Sequence, residues 1–107
     1  MITNFESHGK KILVVDDDPE CVKIVRKALE WEGYTVEIAN SGREAITKIN
    51  HYNPHLVLLD INMPGLNGLD TLKYLRANNE YVATIFVSGE SNIEDIVRGL
   101  DLSLIHI

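Results

Sequence analysis

The sequence has a single cysteine, Cys21, among its 107 residues, which excludes an intrachain disulfide and a zinc site built from paired cysteines. No apolar run approaches the roughly 18 residues that a membrane-spanning helix needs. Residues 1–9 contain no basic segment followed by an apolar one, so they do not form a secretory signal. These absences predict a cytoplasmic protein that does not bind membranes, with residues 1–9 as a flexible polar leader.

Basic residues are also scarce. Ten Lys and Arg residues stand against sixteen Asp and Glu residues, which gives a formal net charge of -6. A nucleic-acid-binding surface needs clustered basic residues, so this balance argues against DNA or RNA binding by this domain. The hydrophobic fraction of 45% and the charged fraction of 24% are typical of one ordinary globular domain.

The apolar residues are arranged in short segments that alternate with helix-like segments. Residues 12–15 form a continuous apolar run, and residues 55–59 (HLVLL) and 84–87 (TIFV) follow the same pattern after one polar residue each, which is typical of parallel strands covered on both faces. Residues 34–39 instead alternate between apolar and polar side chains, which predicts a strand at the edge of the sheet. Repeated strand–helix alternation with short connections predicts an α/β fold with a parallel sheet.

The helical segments carry recognisable start signals. Asp18 can cap the first helix, and Pro19 fits its first turn. A capping box, Ser41 to Glu44, begins the second helix. Two further helices are expected after Gly68 and after residues 91–92. The apolar stripe of the first helix is predicted to comprise Cys21, Ile24, Val25, Ala28 and Leu29.

Polar side chains follow three of the predicted buried strands. Asp16 and Asp17 follow the first, Asp60 follows the third, and Ser88 follows the fourth. In the stretch LVLLDINMPGLNG, Asp60 either caps the next element or is held at the rim of the sheet for chemistry. In parallel α/β sheets, ligands bind beyond the carboxyl ends of the strands. Carboxylates crowded there repel one another, and hard oxygen ligands without His or Cys favour Mg²⁺, with Mn²⁺ as an alternative.

Three motifs in this order resemble the receiver domain of bacterial response regulators, of the chemotaxis-regulator type. They are KILVVDDDPE, HLVLLDINMPGLNG and IFVSGE, and the resemblance covers residues 10–101. It implies a flavodoxin-like doubly wound parallel sheet with strand order 2-1-3-4. It also implies phosphorylation on aspartate, with Mg²⁺, by a histidine kinase or a histidine phosphotransfer protein. The domain would then switch an output and would be no enzyme beyond self-dephosphorylation.

The resemblance assigns roles to the acidic residues. Asp60 occupies the phosphoacceptor position. Asp17 should bind Mg²⁺ directly and Asp16 through water, with Asp60 and the backbone carbonyl of Asn62 as further ligands.

Four residues, with Asn62 again among them, fall at positions that contact or tune the phosphoryl group in this family. Ser88 occupies the position of the switch hydroxyl that binds phosphoryl oxygens, and Gly89 follows where a small residue is usual. Asn62 and Glu90 occupy the two variable positions that tune loss of the phosphoryl group. Their polarity leads to the hypothesis of a short-lived phosphoform.

The sequence departs from the family at its carboxyl end. The family carries a Lys-Pro pair on a fifth strand, followed by a fifth helix, and no Lys-Pro pair occurs in this chain. We therefore expect the fifth strand and helix to be missing or replaced, and an output domain to be lost. Residues 102–107, LSLIHI, are the in-frame translation of CTGTCTCTTATACACATC, a transposon end used in sequencing libraries. The hypothesis is that they form a non-native tail; the alternative is a genuine short strand.

Two other functions fit parts of this pattern. An aspartate-nucleophile phosphohydrolase of the haloacid dehalogenase type also places an Asp after a buried strand, but it needs a second acid two residues later, where this chain has Asn62. A pseudo-receiver that acts only through protein contacts would explain the missing lysine. The intact acidic cluster argues against that reading.

Overall fold

In the computed structural model, residues 9–60, 68–77 and 82–87 are described. They form β1 (Lys11–Val15), α1 (Pro19–Trp31), β2 (Thr35–Ala39), α2 (Gly42–Tyr52), β3 (Leu56–Asp60), α3 (Gly68–Ala77) and β4 (Ala83–Val87). The strands are parallel and pair in the order β2-β1-β3-β4. The α/β class, the flavodoxin-like strand order and the edge position of β2 are thus confirmed.

Alternating side chains of the central strands form two apolar layers. In β1, Ile12 and Val14 face α1, whereas Leu13 and Val15 belong to the layer on the other face, where α2 and α3 pack. The side chains of β3 divide in the same way and are at most 1% exposed from Leu56 to Leu59. Full burial of such a side chain stabilises the fold by roughly 1.5–3 kcal/mol, so these two strands anchor the sheet and hold the residues at their carboxyl ends in place.

The helix caps form as predicted. The Asp18 carboxylate accepts a hydrogen bond from the Glu20 N–H at 3.0 Å, and Pro19 occupies the first turn of α1. At the start of α2, the Ser41 hydroxyl accepts from the Glu44 N–H at 3.1 Å. These bonds satisfy N–H groups that a helix cannot pair internally, so both helices begin at defined residues.

The prediction of the buried face of α1 is partly wrong. Val22, Val25 and Leu29 are buried, whereas Ile24 is 53% exposed. Apolar residues occur on several sides of this helix, so their spacing alone does not determine the centre of its buried face. Packing against β1 and β2 rotates that face toward Val22.

Several expectations fall outside the described residues. They are the leader at residues 1–8, the fourth helix, the absent or replaced fifth strand and helix, and the tail at 102–107. None of the described helices is long and apolar enough to cross a membrane.

Candidate functional site

The topology places two of the predicted aspartates at one edge of the sheet. β1 and β3 are neighbours, with Val15 paired to Leu59, so Asp16 and Asp60 come next on adjacent parallel strands. The Asp16 N–H donates to the carbonyl of Ala39 at 3.1 Å, which extends the pairing with β2 beyond the end of β1. The backbone on which Asp16 stands is therefore held by the sheet itself.

Three carboxylates converge at this edge. Asp16, Asp17 and Asp60 each offer an oxygen, and these oxygens lie within 4.8 Å of one another. Asp16 is only 8% exposed, Asp60 is half-buried and Asp17 is exposed. The cluster therefore spans the boundary between the sheet and solvent, where a ligand can enter and still contact a buried carboxylate.

The third aspartate of the run, Asp18, has a different role. Its N–H donates to the Asp16 carboxylate at 3.0 Å, and its own carboxylate caps α1 through the Glu20 N–H. Asp18 is not one of the three clustered residues. Its prediction as a helix cap is confirmed, and its backbone orients Asp16.

The donor set fits a hard divalent cation. All three clustered groups are carboxylates, and no His belongs to the group. Mg²⁺ prefers oxygen ligands and binds through a few carboxylates together with water. Three negative charges this close repel one another, so a bound cation would relieve a repulsion that the fold itself creates.

Cys21 also faces the acidic cluster, which the sequence pattern missed by assigning it only to the apolar stripe of α1. Its side chain packs partly against the α1 layer of the core. Burial, a hydrogen bond with Asp16, and the negative charges of Asp16, Asp18 and Asp60 raise the pKa of its thiol to about 11. The sequence feature that could have indicated this contact is the position of Cys21 in the first turn of a helix that begins three residues after Asp16.

The remaining predicted site residues, Asn62, Ser88, Gly89 and Glu90, lie outside the described residues. Two lysines of the described part are engaged elsewhere. The Lys11 ammonium donates to the carbonyl of Tyr52 at 3.0 Å, and the Lys48 ammonium donates to the carbonyl of Ile38.

Comparison with known proteins gives a consistent result. Residues 12–106 match the family described as "Response regulator receiver domain". The chain is 46% identical over 95 residues to the "Transcriptional regulatory protein CpxR homolog" of Haemophilus influenzae, covering 88% of this chain and 40% of that protein. Across the curated relatives of this kind, the chain spans about 35–40% of their length.

Solved structures show the same fold. A receiver domain protein (CheY-like) from Methanospirillum hungatei superposes with a TM-score of 0.79 at 24% identity, covering 91% of this chain and 95% of that one. The response regulator protein TrrA from Thermotoga maritima, in complex with Mg(2+)-BeF, gives a TM-score of 0.71 at 38% identity, covering 77% of this chain and 71% of that one.

Proposed function

Because this chain belongs to the response regulator receiver domain family, we propose that Asp60 accepts a phosphoryl group in a reaction that requires Mg²⁺. One observation carries the proposal: carboxylate oxygens of Asp16, Asp17 and Asp60 lie within 4.8 Å of one another at the carboxyl edge of the sheet. A haloacid dehalogenase-type phosphohydrolase draws no support from the family match. The receiver family is a signalling domain rather than a classical enzyme.

In the proposed reaction, a carboxylate oxygen of Asp60 forms a bond to phosphorus, and the bond between phosphorus and the donor breaks. Asp60 suits this role because it ends a strand whose other four residues are fully buried, so its carboxylate is held in place rather than moving with a loop. Its half-buried position leaves it accessible to a donor.

Asp17 and Asp60 would bind Mg²⁺ directly, Asp16 would bind it through water, and the carbonyl of Asn62 would complete the protein ligands. When bound, Mg²⁺ supplies positive charge that offsets the negative charge of a phosphoryl group beside three carboxylates. The Asp18 N–H already holds one oxygen of Asp16, which fixes the orientation of that carboxylate. The TrrA relative was solved with Mg(2+)-BeF, which supports the same class of ligand here.

Ser88 and Gly89 would contact the phosphoryl oxygens, and Asn62 and Glu90 would set the lifetime of the phosphoform. The support is positional: Val87 pairs with Asp60 across β3 and β4, and Ser88 is the next residue in the chain. The phosphodonor would be a histidine kinase or a histidine phosphotransfer protein.

An output domain belongs to the same proposal. The chain spans about 35–40% of its curated relatives, several of which are named transcriptional or DNA-binding regulators. A DNA-binding segment in the remainder of a longer protein would leave this acidic domain as its regulatory part.

The test is to incubate the protein with a small phosphodonor and Mg²⁺ and to look for a base-labile, acid-stable gain of one phosphoryl group by mass spectrometry. Asp60→Asn should abolish the adduct. Asp18→Asn is the matched control, because it removes a charge next to the cluster but keeps a side chain that can cap α1. No adduct on the unmodified chain would favour a pseudo-receiver, and rapid hydrolysis of many phosphomonoesters would favour the phosphohydrolase.

A further inference from the structure

At the outer edge of β2, side chains occupy both backbone groups of one outward-facing residue, Ile38. The described part of the chain places no strand on this side of the sheet, since β2 is the first strand in the order β2-β1-β3-β4. Thr35 and Ala39 face β1: the Thr35 N–H donates to the carbonyl of Lys10 at 2.9 Å, and the Ala39 carbonyl accepts from Asp16. Alternate residues of a strand point their backbone groups to opposite sides, so those of Val36 and Ile38 point outward.

Ile38 would offer both a donor and an acceptor to an incoming strand, and both are taken. Its N–H donates to the carboxylate of Glu37 at 2.9 Å, and its carbonyl accepts from the Lys48 ammonium. Lys48 reaches this point from α2, so its side chain crosses the edge of β2. An exposed edge strand normally presents unpaired groups that recruit further strands.

The ammonium of Lys48 is held over the edge by two carboxylates. It lies 3.5 Å from the Glu37 oxygen that accepts from Ile38, and 3.1 Å from an oxygen of Glu44. The other Glu44 oxygen accepts from the Asn40 N–H at 3.2 Å. An ammonium group has three donors, and three oxygen atoms lie around this one: the Ile38 carbonyl and one oxygen each of Glu37 and Glu44.

We propose that Glu37 and Lys48 form an edge cap that closes β2 to strand addition, and that removing it lets two copies of this chain pair through their β2 edges. A second copy is the expected partner because a two-fold axis places two identical β2 edges side by side as an antiparallel pair. In such a pair, the N–H and carbonyl groups of one edge face the carbonyl and N–H groups of the other. The edge cap lies on the side of the sheet away from β3 and Asp60, so the inference is independent of the proposed function.

The main test is Lys48→Met, which keeps an unbranched chain of similar length but removes the ammonium. The matched control is Lys27→Met, since Lys27 is exposed on α1 and takes part in none of the hydrogen bonds or ion pairs found among the described residues. Sedimentation velocity over a concentration series measures self-association. We expect Lys48→Met to associate about tenfold more tightly than the unmodified chain, and Lys27→Met to match the unmodified chain.

Amide hydrogen exchange locates the contact. In Lys48→Met, the amides of Val36 and Ile38 should gain protection as the protein concentration rises. Glu37→Ala also removes the edge cap, because it frees the Ile38 N–H and removes one of the two carboxylates that hold Lys48. Circular dichroism and urea unfolding check that each variant is folded. The proposal is overturned if both folded variants associate no more than the unmodified chain, or if they associate without added protection at Val36 and Ile38.

Discussion

Asp16 and Asp60 stand at the ends of neighbouring parallel strands, and their carboxylate oxygens approach within 4.8 Å. Neither residue is close to the other in the chain; the pairing of β1 with β3 brings them together. The sheet must be correctly formed before the site exists, because the site is made of strand ends rather than of a local motif. Changes that disturb the pairing of these strands should therefore weaken the site even when all three aspartates are present.

Cys21 should react slowly with alkylating reagents. Its pKa of about 11, against an ordinary value of 9.0, leaves about 100-fold less thiolate at neutral pH, and the thiolate is the reactive form. The rate of iodoacetamide labelling of the folded protein should still rise above pH 9. Asp16→Asn should lower this pKa and speed labelling at pH 8, because it removes a negative charge that disfavours the thiolate. A labelling rate that levels off near pH 9 in the folded protein would contradict the prediction.

The start of α2 should be sensitive to the loss of one hydroxyl. Ser41→Ala removes the acceptor for the Glu44 N–H and should lower the free energy of unfolding by about 1 kcal/mol. Ser41→Asp is the control, because its carboxylate can accept the same bond at a helix N-terminus. Urea unfolding measures both variants, and equal destabilisation by the two substitutions would show that the hydrogen bond is not the cause.

Glu37 should contribute stability that depends on pH. The hydrogen bond from the Ile38 N–H lowers its pKa below the ordinary 4.5; burial opposes this, and the charges of Lys48 and Arg26 add to the lowering. The folded state therefore favours ionised Glu37. Its contribution is complete above the ordinary value and is lost as the pH falls through the lowered one.

The measurement for Glu37 is the difference in urea midpoint between the unmodified chain and Glu37→Gln. We expect a constant difference from pH 7 to about 5 that shrinks in stronger acid. Glu20→Gln is the control: Glu20 is an exposed carboxylate in the first turn of α1 and takes part in none of the ion pairs found among the described residues. A difference that grows on acidification would reverse the predicted sign.

The strands were predictable because their patterns depend on burial alone. The continuous runs of β1 and β3 need two covered faces, and the alternation at Val36 and Glu37 suits an edge strand. The full strand order came from the resemblance to receiver domains, not from these patterns. The convergence of Asp16 with Asp60 was predictable for the same reason, once β1 and β3 are neighbours. Asp18 could be separated from the cluster as a helix cap because Pro19 follows it.

Details that depend on how elements pack were not predictable. The pattern of α1 placed Ile24 inward, but its exposure is fixed by the rotation of the helix on the sheet, which periodicity alone does not determine. The contact of Cys21 with Asp16 requires the short turn between β1 and α1 to fold the first helical turn back toward the strand end. The capping of the β2 edge by Lys48 joins residues ten positions apart on two elements, and no local motif marks it.

An Mg²⁺ titration of the folded protein, followed by amide NMR shifts, tests whether the three clustered aspartates bind a cation. If Asp16, Asp17 and Asp60 form one cation site, the amides of residues 16–18 and 59–60 should shift together and saturate at millimolar Mg²⁺. Asp17→Asn should weaken the response strongly, and Asp18→Asn should weaken it little. Shifts that are absent at these residues, or that persist unchanged when Asp17 and Asp60 are both replaced by Asn, would show that these aspartates do not form a cation site.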